Sequence, residues 1–111
     1  MEYVMENYEV KVKEVIELML ADYDRYTDDR DMPRNSYYVE SGRNYDRIVQ
    51  VNGYNQSESV AGFICRKDNP KKGLVMGDML MAASWKAPAT NFARGNIFTN
   101  MPQSIRWTGI A

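Results

Sequence analysis

The sequence predicts an α+β fold, with an N-terminal helix packed on a three- to four-stranded antiparallel sheet and a short C-terminal helix. Two periodicities carry this expectation. Apolar residues recur every three or four positions up to residue 26, and every second position from residue 37 onward. Length is the third observation: 111 residues suit a single domain over 1–111 with one modest core.

The first helix is predicted over residues 3–27. Tyr8, Val12, Val15, Met19, Tyr23 and Tyr26 make one stripe, widened by Val4, Ile16 and Leu20. Glu9 and Lys13 stand one turn apart in the favourable order. Acids crowd the C-terminal end, where the helix dipole disfavours them, and Pro33 stops any continuation.

An antiparallel meander is expected over residues 36–76. Tyr37 and Val39 alternate with Tyr38 and Glu40, so one of these two faces should be buried and not both. Ser41-Gly42-Arg43-Asn44 supplies a turn. Tyr45 to Val51 forms the second strand, with Tyr45, Arg47, Val49 and Val51 on one face. Asn52-Gly53 signals a hairpin, either as a tight turn or as a loop running through Gln56.

The third strand covers Ser59 to Arg66, with Ala61, Phe63 and Cys65 opposed in facing to Val60, Gly62 and Ile64. Asn69-Pro70 turns the chain, Leu74 to Met76 makes a short fourth strand, and Gly77-Asp78 breaks it. In the remaining segment, 77–111, Pro88 and Gly95 bracket a short helix over Pro88–Arg94. The tail carries Trp107, which is placed to dock on the sheet or on a second copy of the chain.

Composition excludes several chemistries. The absence of histidine removes imidazole bases, Ser-His and Cys-His pairs and the usual zinc sites. Cys65 stands alone and mid-strand, which reads as a buried thiol and not a nucleophile. The glycine patterns of phosphate loops do not occur. No cofactor, metal ligand or catalytic residue is assigned.

Two acidic groupings offer alternatives. Asp22, Asp24, Asp28, Asp29 and Asp31 could in principle hold a divalent cation, but the calcium-loop glycine is missing and Arg25 and Arg30 favour a solvated surface. Asp46, Glu58 and Lys67 would make a metal-dependent nuclease set only if strand register gathered them. Binding is therefore expected over catalysis, because groups that titrate near neutrality are lacking.

Location follows from what the ends and apolar runs lack. Residues 1–8 carry Glu2 and Glu6 in place of a basic leader, and no apolar stretch follows. Met79 to Trp85 falls far short of the ~20 residues needed to span a bilayer. An intracellular setting without a membrane partner is expected.

Charge is segregated although the net is −1. Residues 1–31 hold ten acids and four bases, and the rest hold five acids and ten bases. Such asymmetry points to two faces with different partners, or to two halves that attract each other. The segment from Ala82 to Phe98 interleaves Trp85, Phe92 and Phe98 with Lys86 and Arg94 and contains no acid. Aromatic faces stack on bases while cations meet phosphates, as at single-stranded nucleic-acid or nucleotide sites. The same aromatics would equally serve as plugs closing a small core. The candidate ligand-binding residues are Trp85, Lys86, Asn91, Arg94 and Asn96, joined by Arg43 and Arg47 from the sheet.

Two blocks carry a resemblance: Tyr38 to Val49, containing Gly42-Arg43-Asn44-Tyr45-Asp46-Arg47-Ile48-Val49, and Gly77-Asp78 through Ala82-Ala83-Ser84-Trp85-Lys86-Ala87-Pro88-Ala89 to Ala93-Arg94-Gly95-Asn96. They resemble a family of small proteins encoded by tailed bacteriophages, over about residues 37–98. The chain departs from that pattern at Asn44, Gly62, Ile64 and Met81. The resemblance implies a viral protein in the host bacterial cytoplasm or in the virion, and it carries over no catalytic residue. Three roles stand as expectations: nucleic-acid or nucleotide binding through the basic half, capture of a host protein by the acidic helix, and a minor virion component. Self-association into a homo-oligomer is left open.

Overall fold

Helix α1 spans Glu2–Tyr26 and buries Tyr8, Val12, Val15, Met19 and Tyr23 of the predicted stripe, the side chains of Val4 and Tyr26 lying outside the described residues. The computed structural model describes residues 2–26, 35–91, 93–99, 105–106 and 109–110. Asp28, Asp29 and Asp31 of the acidic run, with Phe92 and Trp107, lie outside the described residues.

Four strands form the main sheet: β1 (Ser36–Ser41), β2 (Tyr45–Val51), β3 (Glu58–Cys65) and β4 (Met79–Leu80), in the order β1-β2-β3-β4 and antiparallel throughout. Of the two faces offered by β1, Tyr37 and Val39 pack into the helix-side core. Tyr38 lies on the other face, and its hydroxyl donates a 2.8 Å hydrogen bond to Glu58. The β2–β3 connection is the longer loop. Asn52 Oδ1 accepts the N–H of Tyr54 at 2.8 Å, and positive φ falls on Gln56 and not on Gly53.

A bulge reassigns the faces of β3. Ile48 opposes Gly62 while Val49 opposes Val60, so Ala61 is an extra residue without a partner across the ladder. Ala61 consequently joins Ile48 and Ile64 beneath the helix, and Val60 packs with Phe63 and Cys65 on the far side. The expected alternation holds from Gly62 to Cys65 and inverts before it.

The fourth strand lies later than the sequence suggests. Leu74 closes a tight return with Asn69 around a single 3₁₀ turn at Pro70–Lys72, and Gly73 takes the left-handed conformation at φ 69°. Pairing with β3 begins at Gly77, whose N–H donates to the Cys65 carbonyl at 2.8 Å, and continues where Met79 opposes Ile64. The short helix expected over Pro88–Arg94 does not form among the described residues. Pro88 bridges Ala82, and the N–H groups of Ala89 and Arg94 donate to Met81 and Met79 at 2.7 Å. Donors that reach across to a neighbouring segment cannot close helical turns.

A final hairpin, β5 (Ile105–Arg106) with β6 (Gly109–Ile110), sends Ile105 and Ile110 into the helix-side core. The helix-side face is covered by α1 and this hairpin, while Leu74, Leu80, Ala82 and Ala93 pack with Phe63 and Cys65 on the other. Among the described residues, no helix is long and apolar enough to cross a membrane.

Candidate functional site

The face of β2 turned away from the helix carries Tyr45 and Arg47, two positions apart and therefore side by side. The β1–β2 turn brings Arg43 to the same end, closed by the N–H of Gly42 donating to the carbonyl of Tyr45 at 2.9 Å. Glu40, directly opposite Arg47 across the ladder, forms an ion pair with it.

Above this face lies the loop from Ala83 to Ala87. Its N–H groups at Ala83 and Ser84 donate to the carbonyl of Ala87 at 3.1 Å, and Ser84 Oγ accepts the Ala87 N–H at 3.2 Å. That local closure projects Trp85 and Lys86 over the sheet. The Arg47 guanidinium sits 5.4 Å from the Trp85 ring centroid and 5.9 Å from that of Phe63. Both distances fall within cation–π range. Phe63 is buried at 2% exposure and meets Tyr45 edge-on at 6.2 Å, whereas Trp85 is 41% exposed.

A cleft of about 350 Å³ lies here, lined by Glu40, Arg43, Tyr45, Arg47, Phe63 and Lys86, with Trp85 beside it over Arg47. Arg47 is held by Glu40 and the two aromatics. Arg43 and Lys86 make no ion pair or side-chain hydrogen bond among the described residues. The cleft thus presents two uncompensated cations beside aromatic surface. Chemically it can attract an anion and stack a flat ring.

Four of the seven sequence-nominated residues meet here: Arg43, Arg47 and Lys86 in the cleft wall and Trp85 over Arg47. The other three do not. Asn96 is structural, its Nδ2 donating to Asp78 Oδ1 at 3.0 Å and to the Met76 carbonyl at 3.1 Å. Arg94 lies in the strip beside Met79 with its Nε shut off from solvent, and Asn91 is exposed outside the cleft. The motif therefore divides. Its Gly77-Asp78 and Arg94-Gly95-Asn96 ends knit the backbone together, and its tip reaches the cleft.

Tyr45, Phe63 and Glu40 were missed. Tyr45 shares a face with Arg47 by simple alternation and could have been nominated; Phe63 needed the β2–β3 register. The nuclease set is not assembled. Asp46 faces the helix, where Tyr8 and Arg66 occupy its oxygens, while Glu58 opposes Val51 at the far end of the ladder. Cys65 is buried, and that burial, aided by Asp78, pushes its thiol up to about 12.

Fold and site define a small α+β domain with a basic, aromatic-lined cleft on the sheet face opposite its helix. The chain belongs to DUF7717, a family of unknown function whose profile matches residues 1–109. No curated protein and no solved structure gives a significant match.

Proposed function

We propose that this protein is a small accessory binding protein that takes a nucleic acid or nucleotide-like anion in the cleft of Arg43, Arg47 and Lys86. The observation that carries the reading is the pair of uncompensated cations, Arg43 and Lys86, beside the Tyr45 and Trp85 rings. Cations engage phosphates and aromatic faces engage bases, the combination that single strands require. The two motif blocks, through their likeness to tailed-bacteriophage proteins, support a phage-encoded role in the host bacterial cytoplasm.

The test is binding of single strands, duplexes and nucleotides across a salt series. Phosphate contacts release counterions, so affinity falls with salt at a log–log slope of about −0.7 per contact for single strands. Arg43→Ala and Lys86→Ala each shallow that slope by about that amount, and Trp85→Ala weakens binding with little change in slope. Absence of binding to all three ligand types at ~50 mM salt, where such contacts are strong, ends the reading.

A second reading rests on the opposite side of the molecule, where Glu9, Glu17 and Asp24 are exposed on α1. This acidic surface would meet a basic protein partner. Charge reversal of Asp24, Asp28 and Asp31 to lysine then removes capture of that partner and leaves anion binding intact. Co-purification with particles decides for a virion component.

A further inference from the structure

A second cleft adjoins the first. Lys67, Asp68, Pro70 and Lys71 line it, its volume is about 290 Å³, and Asn44 and Tyr45 form a wall common to both. We infer that the ligand is a single-stranded nucleic acid whose successive nucleotides occupy the two clefts and cross at Tyr45. This rests on the anion-binding reading above and narrows it to a strand.

Charge is the first support. The paired clefts carry five cations, Arg43, Arg47, Lys67, Lys71 and Lys86, against Glu40 and Asp68. Glu40 is paired with Arg47, and Asp68, which accepts the Met76 N–H at 2.8 Å, keeps its charge, so the two clefts together still carry an excess of positive charge. Lys67 and Lys71 are exposed and make no ion pair or side-chain hydrogen bond among the described residues. Uncompensated cations on both sides of one aromatic wall call for more than one phosphate.

Size and the ring supply the rest. Each cleft lies near the small end of the ~300–1,000 Å³ range of ligand pockets, which suits one nucleotide apiece. Tyr45 is half-buried, and its edge-on contact with Phe63 at 76° between ring planes holds it in place. A fixed ring between two anion sites is a stacking platform for a base linking two phosphates. A duplex presents phosphates but hides its base faces, so it cannot use that platform.

Fluorescence anisotropy with thymidine mononucleotide, dinucleotide, an oligothymidylate of ~12 nucleotides and the corresponding duplex tests this. The dinucleotide binds at least ~5-fold more tightly than the mononucleotide, the low end of one stacked base. Lys67→Ala and Lys71→Ala weaken binding of the dinucleotide and the oligomer by a larger factor than they weaken the mononucleotide, which still has the first cleft. Tyr45→Leu costs at least ~5-fold on the oligomer while Tyr45→Phe retains binding, with thermal melts establishing that both variants fold. The same length step with oligouridylate also supports the inference. A mononucleotide that binds as tightly as the oligomer, with both lysine variants inert, overturns the strand and leaves the anion site standing. A duplex that binds as tightly as the single strand overturns it as well. Failure of every ligand removes both readings.

Discussion

The hydroxyl of Tyr8 donates a 2.6 Å hydrogen bond to Oδ2 of Asp46, joining the helix to the second strand across 38 residues of sequence. The other carboxylate oxygen, Oδ1, accepts from Arg66 Nη1 at 3.1 Å. Tyr8 and Asp46 are both buried, at 1% and 4% exposure. Burying a carboxylate is costly unless its oxygens are satisfied, and here helix and sheet each supply a donor. The bond sits on the helix-side face of β2, one residue along from the Tyr45 and Arg47 positions that build the cleft on the other face.

Tyr8→Phe removes that donor while keeping the ring. The buried carboxylate oxygen then loses its partner, at a cost of about 1–3 kcal/mol. Urea unfolding should show a lower midpoint with an unchanged slope, because the surface exposed on unfolding stays the same. In a double-mutant cycle with Asp46→Ala the two losses should be less than additive, since each variant removes the same Tyr8–Asp46 bond.

Stability should fall as pH rises above about 8.5. Burial holds the Cys65 thiol up to about 12, and burial together with the Asp46 hydrogen bond raises the Tyr8 hydroxyl well above its ordinary value. Burial also raises Tyr37. Unfolded cysteine and tyrosine ionise near ~8.5 and ~10, so the unfolded chain loses protons that the native state retains. The sign is therefore destabilising with rising pH, at about 1.4 kcal/mol per pH unit for each group between its two pKa values. Below ~8.5 these groups contribute no pH dependence. Urea midpoints measured from neutral to strongly alkaline pH check this, and Cys65→Ala should remove the earliest part of the decline.

The periodicity of α1 was legible because its stripe is long and packs against a mainly apolar core. Tyr8 was readable as a core position; its bond to Asp46 was not, since a partner so distant in sequence depends on register. Alternation separated Tyr37 and Val39 from Tyr38 in β1, but which of the two faces is buried was not legible, since both carry aromatic residues. The bulge at Ala61 was marked in the sequence only by Gly62, a residue type that signals either a bulge or a close approach, and here Ile110 also packs against it. The Pro88–Gly95 signature for a helix was overridden by tertiary pairing, where Ala89 and Arg94 donate to Met81 and Met79. Of the site, charge and aromatic content pointed to Trp85 and Lys86. Convergence with Arg43 and Arg47 required the fold, and Asn96 drew attention for a role that is structural.

Two glycines should be intolerant of a side chain, for different reasons. Gly109 has φ 136°, and a Cβ there would lie 2.5 Å from the Ala61 carbonyl oxygen, a backbone atom held by the sheet. Gly77 has φ 90°, and its Cβ would meet the Phe98 ring at 2.7 Å. Gly109→Ala therefore combines strain and a backbone clash, and should cost more than the ~1–3 kcal/mol of backbone strain alone. Gly77→Ala should be partly rescued by Phe98→Ala, which removes the clash but not the strain. Thermal melts of the three variants decide; equal losses for Gly77→Ala with and without Phe98 would contradict this packing.

Phe63 and Trp85 flank the same guanidinium but should respond oppositely to truncation. Phe63 belongs to the core beneath the cleft, with Cys65, Leu74 and Leu80 as neighbours. Its replacement by alanine leaves a cavity among groups fixed by the sheet, and such losses run at about 3–5 kcal/mol. Trp85 stands at the tip of the Ala83–Ala87 loop, 41% exposed, and its contact with Arg47 is partly solvated. A cation–π contact of that kind contributes about 0.5–1 kcal/mol. Trp85→Ala should therefore fold with a melting temperature only a few degrees below the wild type, while Phe63→Ala shows a large drop. Unfolding of Trp85→Ala at room temperature would place this ring in the core, against the geometry of the cleft. A folded Trp85→Ala protein that loses single-strand affinity separates the stacking role of the ring from its packing.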